Sequence, residues 1–145
     1  MKKYIGMAAA AALVALASPT FAQEKPRGKS GLLTGVTKLK PITLSVGKPL
    51  VEEPYEIEAG KYYRVEIVSD GSGELAIRGP EFFRNVWVNE VVINDIEIRP
   101  LGVDSIEFDA AGTARISFIP IRPGTFVLQI PNTTADSQKA VFNVK

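Results

Sequence analysis

The sequence predicts an all-β sandwich, and two observations carry that reading. Apolar residues alternate with polar ones over many short runs, the period of a strand with one buried face. Turn residues interrupt those runs at the roughly 8–12-residue spacing of a sandwich or barrel. No run of helical period and useful length follows residue 22.

Residues 1–22 read as an export signal. Lys2 and Lys3 give the positive start, residues 8–17 form a short apolar run, and Ser18-Pro19 breaks it. Thr20-Phe21-Ala22 fits the small-x-small cleavage rule. The run falls short of the roughly 20 apolar residues of a membrane span. The expectation is a soluble mature chain without a transmembrane segment, exported to the periplasm of a Gram-negative type of cell. Residues 23–40 carry Lys25, Arg27, Lys29, Lys38 and Lys40 with Pro26 and several Gly, and show no apolar period. They are expected to form a flexible basic arm. Residues 41–145 are then a single domain.

The strands of that domain follow in order. Ile42, Leu44 and Val46 alternate with Thr43 and Ser45. Gly47-Lys48-Pro49 turns into an irregular extended run, with Pro54 marking an edge or bulge. Ala59-Gly60 turns into a strand with Tyr63, Val65 and Ile67 inward and Tyr62, Arg64 and Glu66 outward. After the turn at Asp70-Gly71-Ser72-Gly73 comes a short strand over residues 74–78. Pro80 and Glu81 open one helical turn. The β-branched stretch 86–93 reads as a strand. Ile96 and Ile98, then Ile106 and Phe108, mark two more. Ala114, Ile116 and Phe118 alternate in one run, and Phe126, Leu128 and Ile130 in the next. The Pro-rich corner over residues 119–124 joins these two as the central hairpin. Ala140, Phe142 and Val144 close the domain.

Composition removes several chemistries. The chain has no His and no Cys, and both Met residues, Met1 and Met7, lie in the signal. Imidazole bases, thiol nucleophiles and soft metal ligands are therefore absent from residues 23–145. Without Cys no disulfide staples the fold, so stability rests on burial. Of 17 basic residues, 15 remain once Lys2 and Lys3 leave, against 16 acidic. Such a balance offers no basic surface for nucleic acid.

Two long stretches resemble the cupredoxin family of small exported Greek-key sandwiches. One is EIEAGKYYRVEIVSDG over residues 56–71. The other is DSIEFDAAGTARISFIPIRPGTFVLQI over residues 104–130. Gly60 followed by an alternating strand is similar to the family's glycine-strand-turn passage. Residues 118–126 resemble its Phe-x-Pro-x-x-Pro-Gly-Thr-aromatic corner. The resemblance implies a cupredoxin-like Greek-key β-sandwich over residues 41–145. It also implies copper held by two His, a Cys and an axial Met, a soft donor set. The family's Cys would fall near Gln129 or Ile130, and its first His between Asp70 and Pro80. None of these residue types is there, so the electron-transfer role does not carry over.

Two constellations remain. Phe82, Phe83 and Trp87 with Arg84 have the aromatic-plus-arginine composition of a protein-contact surface. Phase assigns none of the three aromatics to core or surface, and two adjacent Phe in a loop are hard to bury on both sides. Glu90, Asp95 and Glu97, with Asn89 and Asn94, offer oxygen ligands to a hard cation, though without the spacing of a calcium loop. The reading is a periplasmic cupredoxin-like domain without copper and without cofactor, not an enzyme, that binds another periplasmic protein. The alternative is a carrier of a hard metal ion or small ligand through Glu90, Asp95 and Glu97.

Overall fold

The computed structural model describes residues 33–145. The export signal expected over residues 1–22, and the part of the arm over residues 23–32, lie outside the described residues. The elements in chain order are β1 (Thr37–Lys38), β2 (Ile42–Leu44), β3 (Tyr55–Ile57), β4 (Tyr63–Ser69) and β5 (Leu75–Arg78). Then come a one-turn helix α1 (Pro80–Arg84), β6 (Val86–Ile93), β7 (Ile96–Ile98), β8 (Ser105–Phe108), β9 (Gly112–Pro120), β10 (Gly124–Gln129) and β11 (Lys139–Val144). One sheet runs β1-β4-β9-β6-β7, with β2 also on β4; the other runs β3-β11-β10-β5-β8. Both are mixed, and together they form the predicted sandwich.

Thr37 and Lys38 pair in parallel with Tyr63 and Arg64, and the Leu39 N–H donates to the Arg64 carbonyl at 2.8 Å. The last residues of the stretch read as a free arm are thus part of the sheet, which begins before residue 41. β2 continues along the same edge of β4, from Ile42 against Ile67 to Leu44 against Ser69. Pro41, which has no N–H, breaks this edge into two short strands.

β4 follows its sequence period. Tyr63, Val65 and Ile67 are buried, while Glu66 is exposed and Arg64 half-buried. Tyr62 departs from it: the sequence points it outward, yet it is 5% exposed. It lies one residue before the Tyr63–Phe118 pair, level with Ile119 on the outer side of β9. There its hydroxyl accepts a hydrogen bond from Asn89 Nδ2 at 3.0 Å.

The central stretch is not a hairpin. β9 pairs with β4 and β6, whereas β10 pairs with β11 and β5 in the opposite sheet. The corner carries the chain from one layer to the other. A hairpin needs N–H donors on both strands beside the turn, and Pro120 and Pro123 supply none. The groups at the corner bond elsewhere: Pro120 O accepts from the Gly60 N–H at 2.8 Å, and the Ile121 N–H donates to Asn85 O at 3.0 Å.

The core lies between the layers. Ile116 and Phe118 from one sheet and Leu128 and Phe142 from the other are fully buried. The aromatic pair Phe82 and Phe83 joins them, at 1% and 8% exposure. This corrects their reading as contact residues. Phe82 packs edge-on to Phe118 (centroids 5.2 Å apart) and against Phe142 (4.5 Å), so it spans both layers. α1 makes this possible. Five helical residues turn Phe82 and Phe83 inward while Glu81 and Arg84 stay in solvent, ion-paired at 3.1 Å.

Candidate functional site

Polar and charged side chains gather at three places: the end of the sandwich where family resemblance would put copper, the outer face of the β4-β9-β6 sheet, and a cluster of carboxylates. At the first, the loops after β2 and β4 interlock. Ser45 Oγ donates to Asp70 Oδ2 at 2.6 Å, the Ser72 N–H to Asp70 Oδ1 at 2.9 Å, and the Val46 N–H to Ser72 Oγ at 2.9 Å. The hydrogen bond from Ser45, with two more from Ser72, holds the Asp70 carboxyl down to about 2. The loop after β2 also reaches the stretch before β11: Leu50 N–H donates to Ser137 O, and Gln138 Nε2 to Lys48 O. Gln129 is a ladder residue opposite Lys139 and Arg78, and Ile130 packs on the core. Hydroxyl, carboxylate and backbone groups fill these loops. With no imidazole, thiolate or thioether in residues 23–145, the donor set does not fit the copper of this fold family.

The outer face of the first sheet carries a buried polar row. Glu90, Ser117 and Arg64 are cross-strand partners on β6, β9 and β4. Glu90 is 7% exposed and Ser117 fully buried. Ser117 Oγ lies 3.5 Å from Glu90 Oε1 and accepts from Arg64 Nε at 3.3 Å. Arg99 closes over the row: one Nη lies 3.4 Å from Glu90 and 3.2 Å from Glu97, and the other donates to Asn89 Oδ1 at 3.1 Å. A β-bulge at Asn89 creates this arrangement. It lets Val88 and Val91 both face the core, opposite Phe118 and Ile116, and turns Glu90 to the other side.

Those facts decide the cation reading of Glu90, Asp95 and Glu97. The Arg99 guanidinium sits between two of the three carboxylates, where a cation would have to be. Asp95 stands apart in the β6–β7 turn, with φ of 66°. The structure does not make a site of them. It does bring together Glu74, Glu107 and Asp109, with one carboxylate oxygen of each within 4.8 Å of the others. All three are exposed, at the end of the β5–β8 ladder. Glu74 lies more than thirty residues from the other two in sequence, so only the pairing of β5 with β8 brings the three together.

Of the four expected contact residues, Trp87 and Arg84 reach solvent. Trp87 is 48% exposed, on the outer face opposite Ile119. Ile121, on the neighbouring corner, is 60% exposed. On the other side of the domain a groove of about 1120 Å³ runs past Leu39, Leu50 and Tyr55. On its wall Lys40 lies 2.6 Å from Glu53. Burial pushes the Tyr55 hydroxyl up to about 12 while it donates to Lys40 O. No helix of the described residues is long and apolar enough to cross a membrane.

Two mixed sheets in this order define a sandwich of the cupredoxin type, the type found in multicopper oxidases. Among solved structures it is similar to a multicopper oxidase from Pseudomonas thermotolerans (TM-score 0.55, 15% identity), over 82% of this chain and 32% of that one. It is also similar to the McoA multicopper oxidase of the hyperthermophile Aquifex aeolicus (0.54, 16%, over 77% and 30%). A third is Lac15 from a marine microbial metagenome (0.53, 20%, over 80% and 28%). At these identities the likeness is one of fold, and the chain spans about a third of the length of those three proteins. The sequence matches no protein-family model and no curated protein.

Proposed function

We propose that this protein is an exported, periplasmic cupredoxin-fold module that binds another protein and does no redox or hydrolytic chemistry of its own. The observation that carries the reading is the pairing of a cupredoxin-type sandwich with the lack of every soft copper donor in residues 23–145. Where the fold's metal chemistry would be, loops are knitted by Ser45, Asp70 and Ser72. What the domain offers instead is surface. Trp87, with Arg84 and Ile121 on adjoining segments, supplies a large exposed aromatic beside a cation and an aliphatic group, a composition suited to a protein hot spot.

Site-specific photo-crosslinking in intact cells tests this. A photoreactive phenylalanine analogue at position 87 should give one discrete adduct in the periplasmic fraction. The same analogue at Thr113, exposed on β9, should give none. Equal labelling at both positions, or none at either, sinks the reading.

A further inference from the structure

The first sheet ends on β7, a strand whose outer edge bonds to nothing among the described residues. Ile96, Glu97 and Ile98 hold neither Lys nor Pro, so the strand's shortness and the single charge of Glu97 are what oppose pairing within it. Its side chains are also left over. Ile96 and Ile98 are in register with Ile93 and Val91, on the inward phase. They overhang the sandwich at 65% and 46% exposure.

The turn fixes which backbone groups face outward. Asn94 and Asp95 have φ of 48° and 66°, a two-residue turn of the primed type. In such a hairpin the flanking residues, Ile93 and Ile96, exchange hydrogen bonds. Ile96 and Ile98 therefore turn their N–H and C=O groups toward β6, and Glu97 turns its own toward the free edge.

We propose that a second copy of this chain pairs with that edge, antiparallel and centred on Glu97 against Glu97. This register alone uses the outward groups of both strands symmetrically, as a two-fold interface requires. It sets Ile96 opposite Ile98 in both directions, at the closely spaced non-hydrogen-bonded sites. It sets Asp95 of each copy opposite Arg99 of the other. Asp95 has no ion pair or side-chain hydrogen bond within its own described chain. The central glutamates do not oppose the contact as bare charges, because each already has Arg99 at 3.2 Å. This contact is independent of the Trp87 surface.

A three-residue edge buries less than the roughly 1,200 Å² of a standard interface, so the dimer is weak and is read by sedimentation equilibrium at about 0.5 mM protein. The purified protein should self-associate there. Glu97→Pro deletes the outward N–H together with the carboxylate that Glu97→Ala also removes, and should raise the dissociation constant about tenfold or more relative to Glu97→Ala by removing two symmetric hydrogen bonds. Glu97→Ala keeps the N–H and should remain a dimer. Should the proline variant fail to fold, Ile96→Lys serves in its place, since that side chain is mostly in solvent in the monomer. A monomeric parent protein at this concentration overturns the proposal, as does undiminished association of Glu97→Pro or Ile96→Lys.

Discussion

Phe82 is where the two layers meet through a single side chain. Its ring touches Phe118 from one sheet and Phe142 from the other, and it is 1% exposed. Phe82→Ala should therefore cost about 3–5 kcal/mol, the range for a large aromatic lost from a core. Urea denaturation of the variant checks it; a loss under about 1 kcal/mol would return Phe82 to the surface. Sequence left this residue undecided for a physical reason: five helical residues are too few to show a phase, and burial came from what the turn plugs. Asp70 gives a prediction in pH. Its folded carboxyl sits at about 2, below the ordinary carboxylate value near 3.9. The fold thus favours the ionised form, and this contribution is complete above pH ~4 and lost as pH falls from ~4 through ~2. Ser45→Ala removes the strongest hydrogen bond to it. The carboxyl should then titrate closer to its ordinary value, as read by NMR, and acid sensitivity in this window should lessen. An unmoved titration would deny Ser45 that role.

Elements show a second kind of limit on what sequence tells. Alternation in β4, β9, β10 and β11 was legible because each strand has one face on the core. Which sheet a strand joins is not written in its period. The Pro-rich corner after β9 therefore passed for a hairpin although its two strands part into different layers. Glu90 was misread for a related reason. One extra residue at Asn89 inverts the phase of β6, and only the pairing with β9 reveals the bulge. The join of β5 to α1 makes an equally local claim. Gly79 is extended, so it needs no left-handed freedom, but a Cβ there would lie 2.4 Å from Leu128 Cδ2 and 2.6 Å from Val127 O. The backbone oxygen cannot yield without disturbing β10. Gly79→Ala should destabilise by about 1–3 kcal/mol as an overpacking change. Gly102→Ala, with open space around it, should leave the thermal midpoint unchanged. Equal midpoints for the two variants would mean that α1 does not lock onto β10 in this way.

At the scale of the whole molecule, the fold and the site chemistry point in different directions, and copper separates them. The sandwich resembles about a third of each of two multicopper oxidases over about four-fifths of this chain. A copper centre of that fold, however, is made by side chains and not by architecture: thiolate and imidazole fix the metal and its colour. Residues 23–145 hold neither. Of the oxygen groups that remain, Asp70 is held by two serines and Glu90 by an arginine and a serine. Titrating the purified protein with Cu(II), and with Cu(I) under reducing conditions, should produce no intense visible charge-transfer band. Neither ion should withstand a competing chelator or raise the thermal midpoint, since a ligand that binds only the folded state must stabilise it by mass action. A coloured complex, or a midpoint that climbs with copper concentration, would show that this sandwich assembles a metal site from oxygen and backbone donors, and the surface-binding reading would lose its basis.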